Sequence, residues 1–173
     1  IPEFDFEGRL MRLDFGNLTI INSYFPSGSS GDIRQVVKMQ YLDAFYDYIQ
    51  NLKIERPNIL ISGDYNICHH SIDIHDPKGN KNSSGFLPDE RAWMSKYFAN
   101  GFIDTFRHFN LDPHHYSWWS YRAGARGNNK GWRIDYHATT DPVKPFLISA
   151  SILPDIIHSD HCPIFVEIDD KVL

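Results

Sequence analysis

The sequence predicts a mixed α/β domain, because strand-like and helical patterns alternate along its 173 residues. Residues 59–61 are a short apolar run typical of a buried strand, and an amphipathic helical pattern comes before it. The composition agrees, since 42% of the residues are hydrophobic and 23% are charged, as in soluble globular proteins. We therefore predict a single domain over residues 1–173 and exclude a disordered chain or a coiled coil.

Two strands joined by a tight turn are predicted at the start of the chain. Residues 10–15 and 18–25 have strand-like patterns, and Gly16-Asn17 between them favours a type I′ turn. Tyr24 closes the second run, since Pro26 cannot continue a central strand ladder. The chain has no initiator methionine and opens like a turn into a strand whose partners lie upstream, so we expect a fragment of a longer protein.

Two helices are predicted from capping and periodicity. Asp32 is placed as the cap of a helix that runs to about Leu52, with apolar residues recurring every three or four positions. Pro88, followed by two acidic residues, begins a second helix that ends at Asn100-Gly101. The polar residues 68–85 before this helix lack apolar periodicity and are predicted to form a loop.

Polar residues after the 59–61 strand are the first candidates for a functional site. Ser62-Gly63 is expected to end the strand, and Asp64 and Asn66 follow. Residues two apart in a strand share a face, so a carboxylate and an amide would lie side by side at the rim of the sheet. Such a pair can hold a water, a metal or a phosphate oxygen. The alternative is an Asx turn that only closes the strand.

A basic and aromatic segment follows in residues 116–136. It contains Arg122, Arg126, Lys130 and Arg133 interleaved with Trp118, Trp119, Tyr121 and Trp132. This combination suits a phosphate backbone and an unstacked nucleotide, and the alternative is a hairpin with a solvated basic tip. The net charge of -5 argues against polyanion binding over the whole surface, but it allows a local basic groove.

The remaining candidates lie in or beside predicted strands. Asp135 belongs to an apolar run, where a buried carboxylate requires a partner, and Asp104 and Arg107 are predicted to form a structural ion pair. Asp160 and His161 precede the last predicted strand, residues 164–168. Phosphodiester hydrolysis uses an oxygen-ligated Mg²⁺, a base that orients water and a cationic donor, and these residue types can supply all three.

Six motifs in order carry a resemblance to a known family: YFPSG, GDYN, LPDERAWM, DTFRH, GWRIDY and SDHCP. Together they resemble the exonuclease III class of AP endonucleases, within the endonuclease/exonuclease/phosphatase superfamily, over essentially the whole chain. The resemblance implies a four-layered α/β sandwich of two packed mixed sheets, incomplete here at its N-terminal side. It also implies a DNA repair nuclease that incises 5′ to abasic sites and degrades strands 3′ to 5′, with Mg²⁺ or Mn²⁺.

The resemblance also implies roles for individual residues. Asp64 would orient or deprotonate the attacking water, Asn66 would contact the phosphate, and Tyr24 would support the phosphate or the leaving oxygen. His161 would polarise the scissile phosphate while Asp135 holds it. The implied metal ligands are Asp160, Asp64 and Asn66, and the implied DNA-binding residues are Trp118, Trp132 and Ile134 around a flipped sugar and Arg122, Arg126 and Lys130 on phosphates.

One departure from the family pattern affects the expected activity. Family members begin with a strand that carries a phosphate-site Asn and then a metal-ligating Glu, and roughly this first third is absent here. We expect residues 1–173 to be the C-terminal portion of the catalytic domain, weakly active or inactive on their own. The alternatives are a superfamily phosphoesterase for a phosphoinositide or lipid, and a non-catalytic DNA-binding remnant.

Partners and compartment are predicted as follows. The resemblance implies double-stranded DNA with abasic sites or 3′ ends as the partner of a monomer. No apolar run approaches the ~20 residues of a membrane span, and no secretory signal is predicted. Cys68 and Cys162 provide no disulfide framework, which favours a reducing cytoplasm.

Overall fold

A mixed β-sheet forms the centre of the computed structural model, which describes residues 2–173, with side chains described from residue 4 onward. Its strands are β1 (Leu10–Phe15), β2 (Leu18–Ser23), β3 (Asn58–Asp64), β4 (Phe102–Asp104) and β5 (Asp135–Thr140). Their order in the sheet is β1-β2-β3-β5-β4. A separate antiparallel pair consists of β6 (Leu147–Ile152) and β7 (Ile164–Ile168). The helices are α1 (Asp32–Glu55), α2 (Pro88–Ala99) and α3 (Thr105–Phe109).

Helices α1 and α2 pack on one face of the central sheet, and the β6–β7 pair packs on the other, with α3 against β6. The helix-side core includes Tyr41, Phe45, Ile49, Trp93 and Tyr97 against Ile21, Ile59 and Ile61. On the opposite face, Leu18 and Leu60 pack with Val143 and Val172, beside Val166 and Ile168 of β7. Two sheets are therefore packed together, and the predicted α/β fold class is confirmed.

The predicted hairpin, helices and strands are confirmed, with three local corrections. The hairpin turn is not of type I′, because that type requires positive φ at both central residues and only Gly16 has it, while Asn17 does not. Asp32 is wrong as a cap, because Gly31 takes the N-cap position and no side chain caps the helix there. Ser62-Gly63 does not end β3, since Gly63 pairs with Tyr136 of β5 and the strand continues to Asp64. At Gly63, with φ 149°, a Cβ atom would collide with the carbonyl oxygen of Ser23, so the sheet requires glycine here.

The predicted Asp104–Arg107 ion pair is wrong in its partners. The Arg107 guanidinium lies 2.6 Å from Asp73, and the Asp104 carboxylate lies 2.7 Å from Arg133. Asp104 instead accepts the backbone N–H of Arg107 at the start of α3. Arg133 also pairs with Asp73 at 2.8 Å, so these four side chains form one buried network. Asp73 of the 68–85 loop is thus joined to Arg107 of α3 and to Arg133, two residues before β5.

Two further predictions from the sequence concern disulfide bonds and membrane-spanning helices. Cys68 and Cys162 are both buried and unpaired. Among residues 2–173, no helix has the length and apolar character required to cross a membrane.

Candidate active site

The register of the central sheet brings Asp64 and Asp135 together. β3 and β5 are antiparallel, and Asp64 and Asp135 are directly opposed Cα partners at the end of this pairing. Directly opposed residues in antiparallel strands have side chains close enough to interact. Two carboxylates that are distant in the sequence therefore lie at one rim of the sheet.

Asn66 lies beside Asp64 in a turn rather than in the strand. Its φ of 54° is in the left-handed region, and its backbone N–H donates to Asp64 Oδ1 at 2.8 Å. Its side-chain Nδ2 donates to Phe25 O at 2.9 Å and to Asp64 Oδ2 at 3.2 Å. The Asx turn and the side-by-side pair, alternatives in the sequence, thus occur together. This arrangement leaves the amide Oδ1 of Asn66 without a hydrogen-bond partner among the described residues.

His161 completes a cluster with the two carboxylates. Its Nδ1 lies 2.9 Å from Asp135 Oδ2, and ligand atoms of Asp64, Asp135 and His161 all fall within 4.8 Å of one another. A carboxylate bonded to Nδ1 fixes the ring orientation and its tautomer, and leaves Nε2 for another partner. The expectation that a partner holds the Asp135 carboxylate is met by His161.

The segments that carry His161 and Asp135 are tied together by Ser117, which the sequence analysis did not single out. The buried Ser117 hydroxyl accepts the backbone N–H groups of Ile134 at 3.1 Å and Asp135 at 3.2 Å. The Ser117 carbonyl accepts the N–H of Cys162 at 2.8 Å. Residues on both sides of the Asp135–His161 bond are thus held by one side chain and its backbone. A lone serine in an aromatic segment has no sequence signal for this role.

The electrostatics of the cluster differ from those of surface acids. Burial and the neighbouring Asp135 raise the pKa of Asp64 to about 7, although the Asn66 N–H, His161 and Lys38 oppose the rise. Burial alone would lower the pKa of His161, but the hydrogen bond to Asp135 and the surrounding carboxylates outweigh it and raise this pKa. Asp64 therefore changes protonation near neutral pH, and the surrounding carboxylates make protonation of His161 easier than its burial alone would allow.

The cluster opens into a cavity of about 440 Å³. Its lining contains eight of the predicted site residues, namely Tyr24, Asp64, Asn66, Trp118, Trp132, Ile134, Asp160 and His161. Ser27, Ser29 and Ser84 also line it, and the sequence analysis did not select them. Asp135 lies behind His161. The structure thus brings four of the five predicted catalytic residues to a single concave surface, and the fifth, Asp135, is bonded to His161.

Two tryptophans form one wall of this cavity. The rings of Trp118 and Trp132 meet edge to face, with centroids 5.9 Å apart, and their backbones pair. Trp118 Nε1 donates to Asp160 Oδ2 at 2.9 Å, which fixes the carboxylate beside the wall. The indole rings are therefore rigid surfaces next to the carboxylate and histidine cluster.

The three predicted phosphate-binding cations do not line this cavity. Arg122 and Lys130 are exposed in the 120–130 loop. Arg126 donates to the backbone carbonyls of Ser159, Pro154 and Ile156 at 2.8–3.0 Å and stacks over Trp119. Arg126 thus has a structural task, and its contact with phosphate stays a prediction.

The oxygen donors around Asp64 suit a hard divalent cation. Asp64 provides a carboxylate, Asn66 provides a free amide oxygen, and Asp160 lines the same cavity with one oxygen outside its bond to Trp118. Carboxylate and amide oxygens are the ligands that Mg²⁺ and Mn²⁺ prefer. The two opposed carboxylates of Asp64 and Asp135 add negative charge that a cation would neutralise. The residue types therefore suit such an ion, and the ligand atoms that converge within 4.8 Å of one another are those of Asp64, Asp135 and His161.

Comparison with known proteins identifies relatives of this chain. The profile of the "Endonuclease/Exonuclease/phosphatase family" matches residues 1–161. An exodeoxyribonuclease of Bacillus subtilis is 41% identical over 165 residues, which cover 95% of this chain and 65% of that protein. A DNA-(apurinic or apyrimidinic site) endonuclease of Dictyostelium discoideum is 37% identical over 176 residues, covering 98% of this chain and 48% of that protein.

A solved structure shows the same fold. An AP endonuclease from Archaeoglobus fulgidus superimposes with a TM-score of 0.86 and 30% identity, over 94% of this chain and 66% of its own. The chain spans less than two thirds of the length of these curated relatives. The resemblance read from the motifs is confirmed, and the chain belongs to the endonuclease/exonuclease/phosphatase family.

Proposed function

We propose that the gene product carrying this chain is a DNA repair nuclease that hydrolyses phosphodiester bonds with a divalent metal. Its substrate is duplex DNA, cut 5′ to abasic sites and degraded from 3′ ends. The observation that carries the proposal is the Asp64–Asp135–His161 cluster, which opens into a cavity walled by Trp118 and Trp132. The names of the relatives, exodeoxyribonuclease and AP endonuclease, support this substrate class.

His161 acts on the scissile phosphate. Because Nδ1 is bonded to Asp135, Nε2 is the nitrogen that remains for a phosphate oxygen. The neighbouring carboxylates favour the protonated ring, with its pKa above the ordinary value. A positioned cationic N–H stabilises the negative charge that develops on a phosphate during attack by water.

Asp64 orients the attacking water and accepts its proton. Without a bound cation the pKa of Asp64 is about 7, and a cation beside the carboxylate would lower it and keep the proton acceptor ionised. Its carboxylate is held by the Asn66 backbone at 2.8 Å, so its direction is fixed before substrate binds. Tyr24, whose side chain is 53% exposed at the cavity, supports the phosphate or the leaving oxygen.

Asp64, Asn66 and Asp160 hold the cation, for which we propose Mg²⁺ or Mn²⁺. When bound, the ion would neutralise negative charge on the phosphate, which lowers the barrier to phosphodiester hydrolysis. Trp118, Trp132 and Ile134 form the walls that receive an extruded abasic sugar. Arg122 and Lys130 contact DNA phosphates from the exposed 120–130 loop. We propose action as a monomer in the cytoplasm, where the unpaired Cys68 and Cys162 would stay reduced.

The test is incision of an abasic duplex by the gene product that carries this sequence, with and without EDTA. We expect cleavage 5′ to the abasic site that needs Mg²⁺ or Mn²⁺ and stops when EDTA is added. EDTA-resistant cleavage would falsify the metal-dependent mechanism. Hydrolysis of a soluble phosphoinositide without DNA cleavage would favour a lipid phosphoesterase. DNA binding without any hydrolysis would favour a non-catalytic protein.

Trp132→Ala separates lesion recognition from general DNA binding in the same assay. Loss of this cavity wall should reduce discrimination between abasic and intact duplex, because the extruded sugar loses its contact surface. The salt dependence of binding should stay unchanged, since tryptophan carries no charge. Unaltered discrimination would remove Trp132 from the lesion pocket.

A further inference from the structure

A fully buried ion pair lies directly behind the cavity and has no role in the site described above. Lys38 of α1 and Glu90 of α2 both have side chains that are 0% exposed, and Lys38 Nζ lies 2.5 Å from Glu90 Oε1. Buried ion pairs are costly to desolvate, and apolar replacements of similar volume are often equally stable. Stability of the fold is therefore a weak reason for this pair.

Glu90 connects α1 and α2 to the end of the 68–85 loop. Its Oε2 accepts the backbone N–H groups of Gly85 at 2.7 Å and Leu87 at 2.9 Å. Its Oε1 accepts Gln35 Nε2 at 3.0 Å, and Gln35 in turn accepts the hydroxyl of Ser84 at 2.8 Å. One carboxylate thus fixes the backbone at Gly85 and, through Gln35, the position of Ser84 in the cavity wall.

Lys38 connects the same carboxylate to the turn that carries Asn66. Its Nζ donates to the Asn66 carbonyl at 2.8 Å. The Asn66 backbone is in the left-handed region, which is uncommon for residues other than glycine and requires support. This bond is the link from the buried pair to the left-handed residue.

The two turns also meet each other. Gly85 has φ 95°, and a Cβ atom there would lie 2.8 Å from the Trp132 ring and 3.1 Å from the Asn66 carbonyl. The Gly85 backbone is therefore enclosed between a cavity wall and the Asn66 turn. A shift of either turn would move Asn66, Ser84 and Trp132 relative to one another.

We propose that Lys38 and Glu90 are positioning residues that hold the Asp64–Asn66 turn and the Ser84–Gly85 turn in the arrangement required for phosphodiester hydrolysis. This inference rests on the proposed function, because it names further residues for that reaction. Neither side chain reaches the cavity, so both act through the residues they hold. The buried charge is kept for geometry at the site, in the way that outer residues orient the ligands of a metal centre.

The test is the double variant Lys38→Met/Glu90→Gln in the gene product that carries this chain. Both charges are removed together, so no unpaired buried ion remains. The amide oxygen introduced at position 90 can still accept the N–H groups of Gly85 and Leu87, but the bond from position 38 to the Asn66 carbonyl is lost. We expect kcat to fall about ten- to a hundredfold while KM changes little, as for loss of an outer positioning partner.

A matched control separates geometry from stability. Val143→Ala removes apolar volume from the core on the opposite face of the sheet, so it should lower stability and leave kcat unchanged. Amide NMR shifts of Asn66, Ser84 and Gly85 should move in the double variant and stay in Val143→Ala. These shifts are independent of turnover, so an inactive wild-type protein would count against the proposed function while the shifts still decide this inference.

The proposal is overturned if the double variant keeps kcat within about twofold. It is also overturned if the three amide resonances keep their wild-type positions. In either case Lys38 and Glu90 would only join α1 to α2.

Discussion

Asp73 and Asp64 are both carboxylates removed from water, and their surroundings are opposite. Asp73 is fully buried and accepts hydrogen bonds from Arg107, Arg133 and the His70 N–H. Asp64 accepts hydrogen bonds only from Asn66 among the described residues, and it faces a second carboxylate, Asp135. Burial raises the pKa of both groups, so the neighbours decide the outcome.

The pKa values of the two carboxyl groups differ widely as a result. Around Asp73, Arg133 and Arg107 outweigh the effect of burial and lower its pKa to about 2. Around Asp64, burial and Asp135 dominate and raise its pKa to about 7. A buried carboxylate that is fully paired with cationic and N–H groups stabilises the fold. A buried charge left partly uncompensated beside a cavity is available for binding and proton transfer.

The largest expected effect is on turnover in Asp64→Asn. Replacing the proton acceptor with an amide should lower kcat by about two to four orders of magnitude, the usual contribution of a general base. DNA affinity should stay within about tenfold, because the side chain keeps its shape. Incision kinetics and DNA binding are measured on the gene product that carries this chain. Asp47→Asn, an exposed acid on α1, is the control. Near-normal turnover in Asp64→Asn would remove this residue from the chemistry.

Asp73→Asn should affect stability instead. The substitution leaves Arg107 without its carboxylate and Arg133 with only Asp104, so we expect a loss of about 3–5 kcal/mol in the free energy of unfolding at pH 7. The folded-state pKa of Asp73 is depressed, so its contribution is present above its ordinary pKa of 3.8 and is lost as pH falls towards about 2. Chemical denaturation of the wild type and Asp73→Asn at pH 7 and pH 3 measures the loss of stability and its dependence on pH. A difference from wild type that does not shrink at pH 3 would contradict the assigned ion pairs.

The smallest expected effect is on DNA binding by the 120–130 loop. Its cationic side chains differ in whether they already donate hydrogen bonds within the protein. Arg122→Ala and Lys130→Ala should each flatten the slope of log affinity against log salt by about one, as expected for one phosphate contact. Arg126→Ala should change this slope less, because its donors already bind backbone carbonyls. DNA binding at several salt concentrations measures all three. If Arg126→Ala flattens the salt slope as much as the other two substitutions, Arg126 also contacts a phosphate.

Local patterns in the sequence were sufficient for most of the elements. The hairpin forms where it is predicted and Gly16 has a positive φ of 57°, although Asn17 lacks the positive φ of a type I′ turn, and Pro88 begins α2 as predicted. These features depend on the backbone preferences of one or two residues. The Asp32 cap failed because Gly31 takes that position, and several residue types can begin a helix.

The site depended on long-range pairing, which the sequence predicts only through the family resemblance. Nothing in the local pattern indicates that Asp64 opposes Asp135 in the sheet, or that Lys38 reaches Asn66. Asp104 illustrates the same limit, because its partner Arg133 is 29 positions away while Arg107 is three. The packing of strands and loops determines which charged side chains pair. Proximity in the sequence therefore predicts the wrong partner for Asp104.

A carboxyl ¹³C NMR titration of the metal-free protein tests the contrast between the two acids directly. Asp64 and Asp73 are assigned by the loss of their signals in Asp64→Asn and Asp73→Asn. We predict that the Asp64 signal titrates near pH 7 and that Asp73 remains ionised down to about pH 2. An Asp64 signal that titrates at about pH 4, as an ordinary solvated carboxylate does, would contradict the assignment of Asp64 as an uncompensated buried base.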